Sequence, residues 1–328
     1  MTQVAKSLAQ NLENDGHKVY RVQLGRGIQG LFPIPKLYFQ YIKVFLRCEI
    51  VHIISASGNS LIFKDLPAII LSRILQKKVV LNFVGGSAIE NYPKWSWLKK
   101  LPFKWSNIVV PPSNILKNVL KKNEPSLQIV KIPHVVDIEY FSLTNQLQND
   151  IPILLAAKSL ESYSGYDILL DIFYEIKRKI NNAEFWIAGD GPYRKRILSK
   201  VNKMGLNGVR FLGNISHGEM PDVMKKATVF VHGTKYESFG IALVEAMASS
   251  LPIVSFKVGG IPEVVINNKT GYLIPYGNKT KFVDAVLVLL QNTEKREKLG
   301  ENSKQHSQSF SWSVVKKYWY KLYSELLL

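Results

Sequence analysis

Cysteine is almost absent from this chain. Cys48 stands alone among 328 residues, which excludes a disulfide framework and suits a reducing compartment. Acidic residues are scarce too, 25 against 43 lysines and arginines, leaving a formal charge of +18. That surplus draws a protein to anionic surfaces without saying whether they are nucleic acid, anionic lipid or acidic glycan. No recognised nucleic-acid module accompanies it, so a basic nucleic-acid-binding protein stands only as the alternative of a different class. No segment reaches the roughly 18 uninterrupted apolar residues of a membrane span. Nor does a secretory leader open the sequence, where a polar helical pattern starts at once, so the expectation is a cytoplasmic protein. The dinucleotide fingerprint is missing as well: no G-x-G-x-x-G follows a first strand with an acidic residue about 20 positions on. The six histidines are scattered and imply no metal site.

What the sequence does have is concentrated at 229–275, which reads as strand, loop, helix, strand, glycine-rich turn, helix and strand. Glu245 sits in the first of these helices among Ile241, Ala242, Leu243, Val244, Ala246, Met247 and Ala248. A helix apolar all round is buried, and a buried carboxylate is costly unless something donates hydrogen bonds to it. The two neighbouring hydroxyls of a ribose are suitable donors; a core serine or a backbone amide would serve equally in a purely structural role. Just before the helix, Ser238, Phe239, Gly240 and Ile241 place backbone N–H groups at a helix N-terminus, where a diphosphate is favoured. Glu237 lies eight residues ahead of Glu245.

Along the chain, apolar residues at 4, 8, 9 and 12 predict a first helix that stops at Asp15-Gly16-His17. Strands are expected at 18–24, 50–54, 79–84, 108–110 and 129–136, with a helix at 64–75. The polar run 142–150 is the expected linker, and a second strand–helix alternation follows: strands at 152–157, 184–188, 208–212 and 228–232, helices at 166–180, 192–204 and 218–226. Helices close the chain at 279–291, 294–306 and 312–327. The alternation implies two doubly wound α/β domains. The turn Gly189-Asp190-Gly191 follows one strand, and Phe211-Leu212-Gly213-Asn214 follows the next. Taken alone, the first is an ordinary strand-to-helix turn.

Glu237, Phe239-Gly240, Glu245 and the later Gly259-Gly260-Ile261-Pro262-Glu263 resemble the E-x7-E region of retaining nucleotide-sugar glycosyltransferases of family 4, which includes glycogen and sucrose synthases. The resemblance is strong over 150–306 and weak before that. It implies the GT-B fold, two Rossmann-like domains facing a cleft: an acceptor-side domain at 1–145, joined by a returning helix at 312–328, and a donor domain at 146–311. It implies transfer of a sugar, from a UDP-linked donor, to an acceptor hydroxyl on a lipid-linked or polysaccharide precursor. Donor contacts fall on Gly189, Gly191, Gly213, Asn214, Ser238 to Ile241 and Glu245, with Glu237 and Lys158 as the catalytic pair and no metal or other cofactor.

The chain departs from the family pattern in three places. Ser164 occupies the position of the usual lysine, and Val84 that of the usual histidine. The strand and glycine-rich loop that relatives carry before the helix beginning at Thr2-Gln3-Val4 are missing. These departures make a catalytically impaired homologue acting as a binding protein one alternative; within the GT-B class a sugar-nucleotide epimerase is another, against which the E-x7-E spacing speaks. Histidines 52 and 134 are read as structural. Finally, the stretch from Tyr92 to Trp105 holds three tryptophans and four lysines, and Lys36 to Arg47 is similar; both suit an anionic membrane surface, or else a core face with solvated lysines.

Overall fold

The computed structural model describes residues 3–22, 34–142 and 151–328. They form two compact units, Met1–Val135 with Trp312–Leu328, and Val136–Ser311.

The first unit is built on a parallel sheet of β1 (Ile50–Ser55), β2 (Lys78–Phe83) and β3 (Ile108–Val110), in that order. Its strands alternate between two cores, as the two-residue period of a strand requires. Leu81, Phe83 and Val109 join Leu61, Tyr92, Phe103 and Leu116 on one side. Val80 and Val110 pack on the other against Leu8 and Leu12 of helix Gln3–Asn14 and Val315, Trp319 and Leu322 of helix Trp312–Leu327. Asp15, just past the first helix, ties these two helices together. It accepts hydrogen bonds from Trp312 Nε1 (3.0 Å), Lys316 Nζ (3.2 Å) and the Tyr320 hydroxyl.

Three expectations for this unit need correction. Residues 18–22 pair with no strand, and 23–24 lie outside the described residues, so β1 is paired on one side only among them. The segment 129–136 runs beside β3 through Val130 N–H to Val109 O and Ile132 N–H to Pro111 O. It stops short of a strand because Pro111, Pro112 and Pro133 have no N–H to continue the ladder. The helix expected at 64–75 starts earlier, as a π-turn over Leu61–Asp65 that continues into Leu66–Ile74.

The second unit carries a six-stranded, wholly parallel sheet in the order β6-β5-β4-β7-β8-β9. The strands are β4 (Ile153–Ala157), β5 (Glu184–Ala188), β6 (Val209–Gly213), β7 (Val229–His232), β8 (Ile253–Phe256) and β9 (Gly271–Ile274). Helices cover both faces, so β4, β7 and β8 are buried throughout; β4 is wholly apolar, and His232 and Ser255 are the polar residues of β7 and β8. The glycine-rich turn after β8 yields only a single 3-10 turn, Ile261–Glu263, where a helix was expected. The units divide at Val135–Val136 rather than at 145–146. Helix Ile138–Ser142 belongs to the second unit because Phe141 is buried against helix Ile241–Ala248, and its carbonyl accepts from Ser249 Oγ at 3.3 Å. Of the expected linker, only Ser142 lies within the described residues.

The chain builds β4, β5 and β6 outward in one direction, then returns to add β7 on the other side of β4. Loops leaving β4 and β7 therefore diverge at the carboxyl ends of two adjacent strands. Open α/β sheets bind ligands at this kind of reversal.

Candidate active site

Both loops at the reversal bring a charged side chain to the same point. Lys158 follows β4 and Glu237 follows β7, and their Nζ and Oε2 atoms are 2.6 Å apart. His232, the last residue of β7, is buried with Nε2 at 3.6 Å from the same oxygen, too far for a hydrogen bond but close enough for charge to be felt. Glu237 Oε1 accepts from the backbone N–H groups of Ser238 (3.1 Å) and Phe239 (3.4 Å). Burial alone would raise the Glu237 carboxyl; Lys158 and His232 outweigh it and hold the group well below the usual carboxylate range. Burial pulls the His232 imidazole down, and Lys158 adds to that against the opposing pull of Glu237.

The two loops are clamped to each other by backbone contacts. Gly165, at φ +80°, lies so close to Gly233 that an added Cβ would be 1.8 Å from its carbonyl oxygen. The Thr234 hydroxyl and the Lys235 N–H both bond the Tyr163 carbonyl. Gly260 N–H bonds the Glu237 carbonyl at 2.9 Å, so the glycine-rich turn after β8 braces Glu237 from behind.

Helix Ile241–Ala248 begins at Gly240, which is left-handed at φ +96°. Two of the N–H groups expected to receive an anion, those of Ser238 and Phe239, are occupied by Glu237; Gly240 and Ile241 remain at the open end. One turn further on, Glu245 is 9% exposed and has no hydrogen bond among the described residues. Burial pushes its carboxyl up to about 7. His217 lies beside it, with Nδ1 3.7 Å from Glu245 Oε1.

The remaining expected donor residues border this site. Gly213 ends β6 at φ +71° with open space where a side chain would be, and Asn214 beside it is exposed. Gly189 and Gly191 have a sufficient reason within the protein: a Cβ on either would come within 2.1 Å of the Lys158 carbonyl or 2.5 Å of the Leu160 carbonyl. Both glycines let the loop after β5 pack on the loop that carries Lys158.

A family model for glycosyl transferases group 1 matches residues 141–306, about half of the chain. An uncharacterized glycosyltransferase of Methanocaldococcus jannaschii is 30% identical over 283 residues, covering 84% of this chain and 78% of the relative. The chain belongs to the glycosyl transferases group 1 family. The GPI3 subunit of the phosphatidylinositol N-acetylglucosaminyltransferase of Saccharomyces cerevisiae is 28% identical over 300 residues, covering 88% of this chain and 64% of the subunit. Among solved structures, Anabaena HepE in complex with UDP-glucose superposes with a TM-score of 0.76 at 18% identity, over 99% of this chain and 90% of that one. The fold is GT-B and the protein is a glycosyltransferase.

In this glycosyltransferase the position of the usual lysine holds Ser164, which is 2% exposed. Its hydroxyl turns inward to the Ser159 carbonyl at 2.7 Å and closes the loop, so Lys158 is the cation this loop presents at the site. Val84 follows β2, its N–H bonded to the Ser55 carbonyl. His52 lies within β1 with Nδ1 3.0 Å from the Tyr323 hydroxyl, and burial pulls it down to about 4, in keeping with a structural role. His134 is buried. The sequence reading missed His232 and His217. His232 had a signal, standing at a strand end five residues before Glu237. His217 had none in its spacing, because only the fold brings the loop after β6 to Glu245. Among the described residues no group of three His, Cys, Asp or Glu is arranged to hold a metal.

Proposed function

We propose that this glycosyltransferase takes its sugar from a nucleoside-diphosphate donor, UDP-linked, and transfers it with retention to a hydroxyl of a lipid-linked or polysaccharide precursor. The observation that carries the reading is the pair of carboxylates flanking one helix start at the sheet reversal. Glu237 is held ionised by Lys158, while Glu245 is buried with its hydrogen-bonding capacity unused. In this reading Glu245 accepts hydrogen bonds from the ribose hydroxyls, and Gly213 and Asn214 border the base. Gly240, Ile241 and Lys158 hold the diphosphate, with Gly189 and Gly191 behind the Lys158 loop. Helix end and lysine together supply the positive charge that a departing diphosphate needs, so no metal is expected. Glu237 remains a carboxylate at neutral pH. It therefore acts on the transferred sugar by accepting from its hydroxyls and by stabilising positive charge at the anomeric carbon, rather than as a proton donor. The UDP-glucose bound by HepE supports the donor class, and the phosphatidylinositol named for the yeast enzyme supports a lipid acceptor.

The same reading places the protein on an anionic membrane surface. Part of the aromatic and basic stretch is core: Tyr92 and Phe103 are buried, and Lys100 and Lys104 pair with Glu124. Lys94, Trp97, Leu98 and Trp105 are exposed, as are Phe39 and Ile42 of helix Ile34–Phe45 and Leu46 just after it. No helix among the described residues is long and apolar enough to cross a membrane.

Calorimetry with nucleoside diphosphates and their sugars tests the donor assignment, and NMR of the anomeric proton in the released product tests retention. Tightest binding of a UDP compound and an unchanged anomeric configuration are expected; inversion would remove the assigned role of Glu237.

A further inference from the structure

The imidazole beside Glu245 is held in place by more than chance contact. His217 comes from the loop after β6, and its ring stacks on Tyr140 at 5.7 Å and 24° and meets the edge of Phe141 at 5.2 Å. The Tyr140 hydroxyl donates to the Gly218 carbonyl at 2.8 Å and fixes the loop on the other side of the histidine. A half-exposed ring is thus clamped by helix Ile138–Ser142 with Nδ1 3.7 Å from a buried carboxylate that has no hydrogen bond among the described residues.

Other ionisable groups on the elements packed around helix Ile241–Ala248 make no ion pair with Glu245 among the described residues. Lys304 bonds the Ser142 carbonyl at 3.4 Å, and His306 packs its ring on Phe310. His232 and Glu237 form the cluster with Lys158. Glu219 accepts from Ser216. Glu139 and Tyr140 belong to the clamping helix, and none of these groups forms an ion pair with Glu245.

We infer that His217 is a positioning residue for the donor: it keeps the Glu245 carboxylate charged and oriented to accept both ribose hydroxyls. The inference rests on the assignment of Glu245 to the ribose. A protonated carboxyl spends one oxygen as a donor and cannot accept from both hydroxyls of a vicinal diol in the same way. Burial favours that protonated form near neutral pH. The imidazole at 3.7 Å opposes it by charge whenever the ring is protonated.

The protein therefore binds its nucleotide more tightly as pH rises through the Glu245 transition, and loss of His217 moves that transition upward. His217→Phe keeps the ring against Tyr140 and Phe141 and removes the charge. UDP-glucose is the binding probe, because its diphosphate diester does not titrate between pH 6 and 9. Wild-type affinity should rise about tenfold from pH 6 to pH 8, and the midpoint should move up by about one unit in His217→Phe, with equal affinities near pH 9. Carbon-13 NMR of carboxyl-labelled glutamates, with the Glu245 signal assigned through Glu245→Gln, reads the same shift without any ligand. Superimposable titrations of Glu245 in wild type and His217→Phe would overturn the inference. If Glu245→Gln binds UDP-glucose as wild type does, the ribose assignment itself fails. If Glu245→Gln binds weakly but the His217→Phe pH profile is unchanged, only the role of His217 fails.

Discussion

Two glutamates eight residues apart, in one stretch of chain, sit in opposite electrostatic surroundings. Glu237 is at the loop end, with a lysine at 2.6 Å and two backbone N–H groups on its other oxygen. Glu245 is one helical stretch further in, equally removed from water, with no hydrogen bond among the described residues and an imidazole at 3.7 Å. The first carboxylate is stabilised before any ligand arrives. The second is left waiting for donors that the protein itself withholds. A site that must hold charge throughout a reaction and a site that must recognise hydroxyl groups need these two different preparations.

The sharpest way to break that contrast is to remove the lysine. Lys158→Met leaves Glu237 charged and buried without its cation. Transfer should fall about 10²- to 10³-fold in initial-rate assays, on the scale of one lost transition-state contact. Unfolding by urea should show a loss of about 3 kcal/mol. Undiminished turnover would make the pair structural.

Substituting the glutamates one at a time should give stability changes of opposite sign. The folded value for Glu237 lies below its unfolded value, so its pairing contributes stability above about pH 4.5 that is lost as pH falls through the folded value. Glu245 runs the other way. Its folded value, about 7, lies above the ordinary 4.5, so its charged form costs stability that is absent below about pH 4.5 and fully felt above about 7. Glu245→Gln should then stabilise the protein at pH 8 by on the order of 2–3 kcal/mol, with little change at pH 4. The same variant should bind nucleoside diphosphate more weakly by about 1–3 kcal/mol. Glu237→Gln should destabilise at pH 8. Denaturation at the two pH values checks both, and a destabilised Glu245→Gln would mean that the carboxylate has an internal role.

A smaller effect is expected at Gly189, whose φ of +145° and closeness to the Lys158 carbonyl leave no room for a side chain. Gly189→Ala should cost about 2 kcal/mol and displace the lysine loop, seen as a raised KM for donor with the first unit's melting unaffected. Smallest of all is the membrane contact. Sedimentation with anionic vesicles should show binding that fades as salt rises, and Lys94→Gln with Trp97→Ala and Trp105→Ala should weaken it several-fold. Equal binding to neutral vesicles would remove the electrostatic part of the proposal.

The second unit was far more legible in the sequence than the first, and the reason is physical. A parallel sheet covered on both faces writes its strands as mostly apolar runs, as Ile153 to Ala157 does throughout and Ile253 to Phe256 does but for Ser255. The first unit's sheet is short, and the segment at 129–136 spends its hydrogen bonds beside prolines, so its alternating pattern does not mature into a strand. At the site, Glu237, Glu245 and the helix between them could be read from spacing because they are local. The use Glu237 makes of the Ser238 and Phe239 N–H groups could not, since the same residues serve an incoming anion or a neighbouring carboxylate equally well. Gly189 and Gly191 show the converse. A glycine marks a close approach, but only the fold tells whether the approaching atom is a ligand's or the chain's own.

The clasp of Asp15 by Trp312, Lys316 and Tyr320 bears on the order in which this protein is made. The core of the first unit includes Val315, Trp319 and Leu322, which leave the ribosome after every residue of the second. Vectorial synthesis ordinarily lets the leading domain mature first. Here the second unit can finish while the first still exposes an apolar sheet face, and helix Trp312–Leu327 completes that face once it emerges. Ribosome-stalled chains ending near residue 311 should therefore give a protease-resistant second unit and a cleavable first one, a window in which a chaperone has something to hold.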